Sequence, residues 1–261
     1  MLRARPRRVT VVPPLLRLIG WPVRAVLRTI GLDIVRYQVI RPGDREQGPV
    51  EAPASLGRIR ERFPFPAPPV GETVLPPEPP NGRDLIEDLI RERRVSVLLE
   101  IGSFLGGSTL RWLRASPDLV VVAVDPWQDG WAGDYLAGLG YPGQREGLNA
   151  ADGLFEMFLR NVQPFAGRVV PVRAASPMVL DELAQLGLRA DLVFIDAAKL
   201  TGDLVTASEL WPEAILTGDD WGFEGDDSTG PMREVVLRFA GRRRLEVVRK
   251  SETWVLTNEA D

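Results

Sequence analysis

Residues 95–108 read VSVLLEIGSFLGGS. An apolar run that ends in an acid and a glycine-rich turn, and then opens a helix, is the pattern of a buried parallel strand. Such a turn offers backbone N–H groups and a helix N-terminus to a ligand, which suits a nucleotide-type cofactor. Glu100, Gly102, Ser103, Phe104, Gly106 and Ser108 are therefore candidate cofactor contacts. Their spacing, E-x-G-x-x-x-G-x-S, departs from the dinucleotide pattern G-x-G-x-x-G. Glycine at a strand-to-helix turn also answers a conformational need for positive φ, and the motif alone leaves that reading open.

Outward from this turn, short apolar runs alternate with amphipathic helices. The periodicity predicts helices over 82–93, 108–114, 150–162, 178–186, 202–210 and 232–240. Between them lie strands over 95–100, 119–125, 168–172, 191–196 and 214–217. The runs 244–248 and 253–257 flank a Lys250-Ser251-Glu252 turn and predict an antiparallel hairpin. Together these make an α/β protein with a Rossmann-like, doubly wound, seven-stranded sheet, mostly parallel, covered by helices on both faces.

Three segments differ in composition. Residues 1–41 carry nine Arg against the single acid Asp33, while the whole chain has a net charge of −4, so the remainder stands near −12. Arg17, Arg24 and Arg28 share one helical face of this arm, with Leu18, Trp21, Val26, Leu27 and Ile30 beside them. Such a basic amphipathic arm suits peripheral docking on the inner face of a membrane, or packing on the body or a second copy. Residues 42–80 are proline-rich and are expected to form an extended linker. The domain proper is expected over 81–261. No apolar stretch reaches the ~20 residues a membrane span needs, and no secretory signal is evident, so a cytoplasmic location is expected.

The chain has no Cys and no His. Thiolate or His-ligated metal sites, Cys nucleophiles and Ser-His-Asp hydrolysis are excluded, and proton transfer falls to Asp, Glu, Lys, Tyr or water. In an open α/β sheet the ligand lies beyond the carboxyl ends of the strands. The second strand ends in VVAVDPW, so Asp125 can accept both hydroxyls of a ribose and Trp127 can wall the base; helix capping is the alternative for Asp125. The third leads to Ala174, Ala175 and Ser176, small residues suited to an adenine edge.

The fourth strand ends LVFIDAAK and the fifth ILTGDDWG. If the two are neighbours, Asp196, Asp219 and Asp220 converge, and clustered carboxylates repel unless a cation or proton neutralises them. A hard divalent ion such as Mg²⁺ is the economical solution; a helix cap with a solvated neighbour is the plainer one. Lys199, three residues past Asp196, is the candidate general base, its ammonium lowered by burial and a nearby ion, or else a counter-ion to Asp196.

The segments EIGSFLGGS, VVAVDPW, AAS, DLVFIDAAK and LTGDDW, in this order, resemble class I S-adenosylmethionine-dependent methyltransferases. More narrowly they resemble metal-dependent O-methyltransferases of the catechol, cephalosporin and macrolide-sugar types, over about residues 81–257. The resemblance implies that Gly102, Ser103 and Ser108 line the methionine part of S-adenosylmethionine, that Asp125 holds its ribose, and that Ala175 and Ser176 meet its adenine. Asp196, Asp219 and Asp220 would ligate Mg²⁺, Asp196 being a candidate cofactor contact as well, and Lys199 would be the base. Sugar-modifying relatives usually carry histidine at the Lys199 position. The implied reaction is in-line transfer of the sulfonium methyl to a hydroxyl of a small acceptor, a glycosyl group or specialised metabolite. The segment 130–148 is expected to be a lid or a plain loop.

Two rival readings remain: a non-catalytic scaffold that docks through the basic arm, and a nicotinamide-dependent oxidoreductase, which the glycine spacing disfavours. A nucleic acid partner is not expected, because the body of the chain is acidic. Homo-oligomerisation is left open.

Overall fold

The structure, a computed structural model, describes residues 54–67, 71, 73, 82–128, 130, 132–138, 145–197, 201–225 and 230–258. The helices are α1 (Ala54–Arg62), α2 (Asp84–Glu92), α3 (Gly107–Ala115), α4 (Ala132–Gly138), α5 (Arg145–Asn149), α6 (Gly153–Val162), α7 (Met178–Gln185), α8 (Thr201–Leu210) and α9 (Met232–Arg243). The strands are β1 (Val97–Ile101), β2 (Val120–Asp125), β3 (Val169–Arg173), β4 (Leu192–Ile195), β5 (Ile215–Gly218), β6 (Leu245–Lys250) and β7 (Thr253–Asn258).

The strands form one seven-stranded sheet in the order β3-β2-β1-β4-β5-β7-β6. The first five run parallel, and β7 pairs antiparallel with both β5 and β6. Lys250 pairs with Thr253 across a two-residue turn in which Ser251 takes a left-handed φ of 52°. This is the Rossmann-like, doubly wound seven-stranded sheet, mostly parallel with a C-terminal antiparallel hairpin, expected from the sequence. The order reverses direction at β1 and β4, so a crevice opens at their carboxyl ends, where ligands bind in such sheets.

Strand alternation divides the core into two layers. Val97, Leu99 and Ile101 of β1 face α1, α7, α8 and α9, together with Val122 and Val124 of β2. Leu98, Val121 and Ala123 face α2, α3 and α6. Both layers are continuous apolar packing, which is why the strands read as unbroken hydrophobic runs.

One expectation is corrected here, and of the two readings of 130–148 only the plain loop is set aside. The segment 42–80 is not extended throughout, because α1 lies inside it with Leu56 and Ile59 wholly buried against the sheet. Residues 54–62 contain no proline, so the helix forms between the proline clusters, and its apolar side chains three apart pack as one stripe. The segment 130–148 carries α4 and α5. Ala132, Leu136 and Leu148 are buried in the second layer, and Asn149 accepts a hydrogen bond from the Gly133 N–H at 2.8 Å.

Among the described residues, no helix is long and apolar enough to cross a membrane. The basic arm, with its expected membrane or partner docking, lies outside them, as does Lys199.

Candidate cofactor and metal site

At the carboxyl end of β1 the chain turns through Gly102, with φ of 92°. A Cβ there would stand 2.1 Å from the carbonyl oxygen of Asp196, and the Asp196 N–H donates to the Ile101 carbonyl at 2.8 Å. Glycine is therefore required for the close approach of β1 and β4, whatever the turn binds. Gly106, with φ of 82°, caps α3 where a Cβ would press on Val162 and Phe158.

Asp125 ends β2 and clamps two loops. Its Oδ2 accepts the Phe104 N–H at 2.9 Å and its Oδ1 accepts the Trp127 N–H at 2.7 Å. Phe104 and Trp127 both hold left-handed backbones, with φ of 45° and 41°. Non-glycine residues pay for that conformation, and the two hydrogen bonds to one carboxylate hold them in it. Burial raises the Asp125 carboxyl above its usual range, against the lowering effect of these backbone donors. Asp125 is half-buried as a residue and lies beside Ala174, whose N–H reaches the Asp125 carbonyl at 3.1 Å. Ala175 is exposed and Ser176 half-buried on the adjoining loop.

Two of the candidate contacts sit deeper than the sequence suggests. Glu100 is not the last residue of β1; Ile101 follows it in the strand, and alternation turns Glu100 inward with Leu98. Its carboxylate is wholly buried, accepting from Trp112 Nε1 at 2.9 Å and from the Thr109 hydroxyl. Burial pushes it up to about 7, although Thr109, Ser103, Trp112 and Arg83 each favour its charged form. It supports α3 from beneath and presents no surface to a ligand. Trp127 is likewise fully buried, donating Nε1–H to the Phe104 carbonyl at 2.6 Å and packing on Phe155 and Phe158. Its ring is packed inside the second core layer and presents no surface to a base. Phe104, half-buried, meets Tyr135 of α4 edge-on at 6.1 Å, and Tyr135 is exposed.

On the other side of the crevice, β4 and β5 are neighbours, and ligand atoms of Asp196, Asp219 and Asp220 lie within 4.8 Å of one another. Hydrogen bonds fix the acidic pair from the hairpin: Thr253 Oγ1 donates to Asp219 Oδ1 at 3.2 Å, and Trp254 Nε1 to the Asp219 carbonyl at 3.0 Å. Asp220 is left-handed, with φ of 61°, and the following Trp221 and Gly222 N–H groups both bond to Glu252. By donor chemistry, three carboxylates so gathered could hold a hard divalent cation such as Mg²⁺.

Arg83, which the sequence reading did not single out, reaches into this cluster. Its Nη2 donates to Asp196 Oδ2 and to Asp219 Oδ2, each at 2.7 Å, and Nε donates to Asp219 Oδ2 at 3.2 Å. Nη1 donates to the Ser108 hydroxyl at the start of α3, and the guanidinium lies 5.6 Å from the Phe194 ring centre. The only sequence signal for it is indirect: three converging acids require a cation from somewhere in the chain or from solution.

Comparison with solved structures places the fold among known proteins. The chain is similar to cofactor-bound Rv0187 from MTB, at 21% identity over 78% of this chain and 86% of that one, with a TM-score of 0.50. It is similar to an O-methyltransferase from Bacillus cereus in complex with SAH, at 17% identity over 90% and 96%, with a TM-score of 0.49. A third is TomG, an O-methyltransferase from Streptomyces achromogenes involved in tomaymycin synthesis, in complex with SAM, at 21% identity over 79% and 89%, with a TM-score of 0.45. No protein-family model and no curated protein matches the chain. At these identities the likeness to Rv0187 is one of fold.

Proposed function

We infer that this protein is an S-adenosylmethionine-dependent O-methyltransferase that acts on a hydroxyl of a small acceptor, with a divalent cation such as Mg²⁺ assisting. The observation that supports the reading is a juxtaposition. Along the edge of β2, β1, β4 and β5, a ribose-competent carboxylate and a glycine turn stand beside three gathered aspartates. The fold shared with cofactor-bound Rv0187 agrees with it.

On this reading Asp125 accepts the ribose hydroxyls while it holds Phe104 and Trp127 in place. Ser108 and the N–H groups that open α3 receive the methionine carboxylate, where a helix N-terminus favours negative charge. Ala175 and Ser176 border the adenine. S-adenosylmethionine, when bound, supplies an electrophilic methyl group on its sulfonium. A divalent cation, when bound, lowers the pKa of an acceptor hydroxyl and orients it. Asp196, Asp219 and Asp220 would hold that ion, and Lys199 would take the acceptor's proton as the new C–O bond forms and the C–S bond breaks. The exposed Tyr135 of α4, which meets Phe104 edge-on, would help select the acceptor, the role proposed for the segment 130–148.

Calorimetry with S-adenosylmethionine, followed by mass spectrometry of small hydroxylated compounds incubated with protein and cofactor, tests the reading. Cofactor binding and a product heavier by one CH₂ are expected. A protein that binds no S-adenosylmethionine is a scaffold, and the reading is then rejected.

A further inference from the structure

We propose that Arg83 is a built-in counter-cation of the acidic cluster, and that a divalent ion and Arg83 hold the same carboxylates in alternation. The proposal rests on the reading of Asp196, Asp219 and Asp220 as metal ligands. It adds what those ligands do when no ion holds them.

The hydrogen bonds decide the exclusion. Oδ2 of Asp219 accepts from both Nε and Nη2 of Arg83, which uses the two lone pairs that oxygen has. Oδ2 of Asp196 accepts from the same Nη2. Mg²⁺ needs carboxylate oxygens at about 2.0–2.1 Å and tolerates little distortion. It can take Asp219 Oδ2 only after the guanidinium has withdrawn, and it competes with Nη2 for Asp196 Oδ2, where a second positive charge beside the ion is repelled. The cluster is screened poorly by solvent, because the Arg83, Asp219 and Asp196 side chains are 12%, 5% and 20% exposed. The attraction to be displaced is therefore that of a charge-assisted, partly buried pair, stronger than a surface ion pair.

The placement of Arg83 makes it a fixed donor with a movable head. The preceding Gly82, with φ of 88°, is pressed against the hairpin, since a Cβ there would stand 1.8 Å from the Lys250 carbonyl oxygen. Arg83 then caps α2 with helical backbone angles. The backbone is thus held while the side chain spans from the helix to Asp196, Asp219 and Ser108, elements separated from it widely in sequence. On this proposal withdrawal is a movement of the side chain alone.

The test is titration of Mg²⁺ and Mn²⁺ into the full chain, wild type against Arg83→Gln and Arg83→Lys, by calorimetry and by the rise of melting temperature with metal. Arg83→Gln is expected to bind the ions tighter by on the order of ten-fold, the competing charge-assisted bonds being gone. Its melting temperature is expected to start lower and to gain more from millimolar Mg²⁺. Arg83→Lys keeps the charge but cannot span all three partners, so it is expected between the two. It decides the matter if Arg83→Gln fails to fold. Wild-type and variant proteins that bind the ions equally, or variants that bind more weakly, overturn the proposal and leave the metal reading intact. If neither wild type nor variants bind an ion, the metal reading itself fails and the proposal goes with it.

Discussion

Glu100 places an ionisable group where strand alternation calls for an aliphatic side chain, with Leu98 two residues before it on the same face. Its folded-state pKa of about 7 stands above its ordinary value of 4.5, mainly through burial. Between those two values the native protein holds a proton that the unfolded chain has released. Stability from this group is therefore greatest below about pH 4.5 and falls as pH rises towards 7; ionisation beyond that costs roughly 3 kcal/mol. Glu100→Gln keeps both partners, since an amide can accept from Trp112 and donate to the Thr109 oxygen. The variant is expected to melt several degrees higher than wild type at pH 8 and near it at pH 5, at about 2–4 °C per kcal/mol. Thermal melts across that range check it, and an unchanged pH dependence would contradict this account of Glu100.

At the scale of elements, α1 extends the hydrophobic core before the sheet begins. Ile59 is 0% exposed and packs in the layer formed by β1, α7, α8 and α9. Ile59→Ala is expected to cost about 2–5 kcal/mol, read as a lower denaturation midpoint, as for any fully buried aliphatic truncation. A change under a few tenths would mean that α1 is not held by the core. This helix was illegible in sequence because nine residues of helix sit between proline clusters that dominate any window around them. The strands and most helices were legible, since each buried strand is a continuous apolar run and each helix a stripe. Boundaries slipped where the deciding force is packing between elements. Ile101, not Glu100, closes β1 because it still pairs with β4, and α4 and α5 form because Leu136 and Leu148 find room in the core. Of the site, the gathering of Asp196, Asp219 and Asp220 followed from strand adjacency alone. Arg83 did not, because its partners lie 113 and 136 residues away and no local pattern couples them.

Over the whole molecule, the two halves of the candidate site stand on opposite sides of the point where strand order reverses. Asp125 ends β2 and Asp220 follows β5, with β1 and β4 between them. Asp125 and Asp220 thus stand on strands that are not neighbours, and their substitutions should be nearly additive. Asp125→Ala removes a carboxylate proposed to accept two ribose hydroxyls, and it also frees the strained Phe104 and Trp127 backbones. With charged hydrogen bonds at about 1.5–3 kcal/mol each, S-adenosylmethionine affinity is expected to fall by at least about a hundred-fold. The melting temperature should fall with it. Asp220→Ala leaves β1, β2 and their turns untouched, so cofactor affinity is expected to stay within about two-fold while metal-dependent turnover is lost. Calorimetry with S-adenosylmethionine and product mass spectrometry on both variants separate the two effects. Were Asp220→Ala to lose cofactor affinity as Asp125→Ala does, the two sides would form one cooperative site. The division of labour between a cofactor half and an acceptor half would then be wrong. Were Asp220→Ala to keep full turnover in excess chelator, the acids would serve structure alone, and transfer would depend on Asp125, Ser108 and Lys199 without an ion.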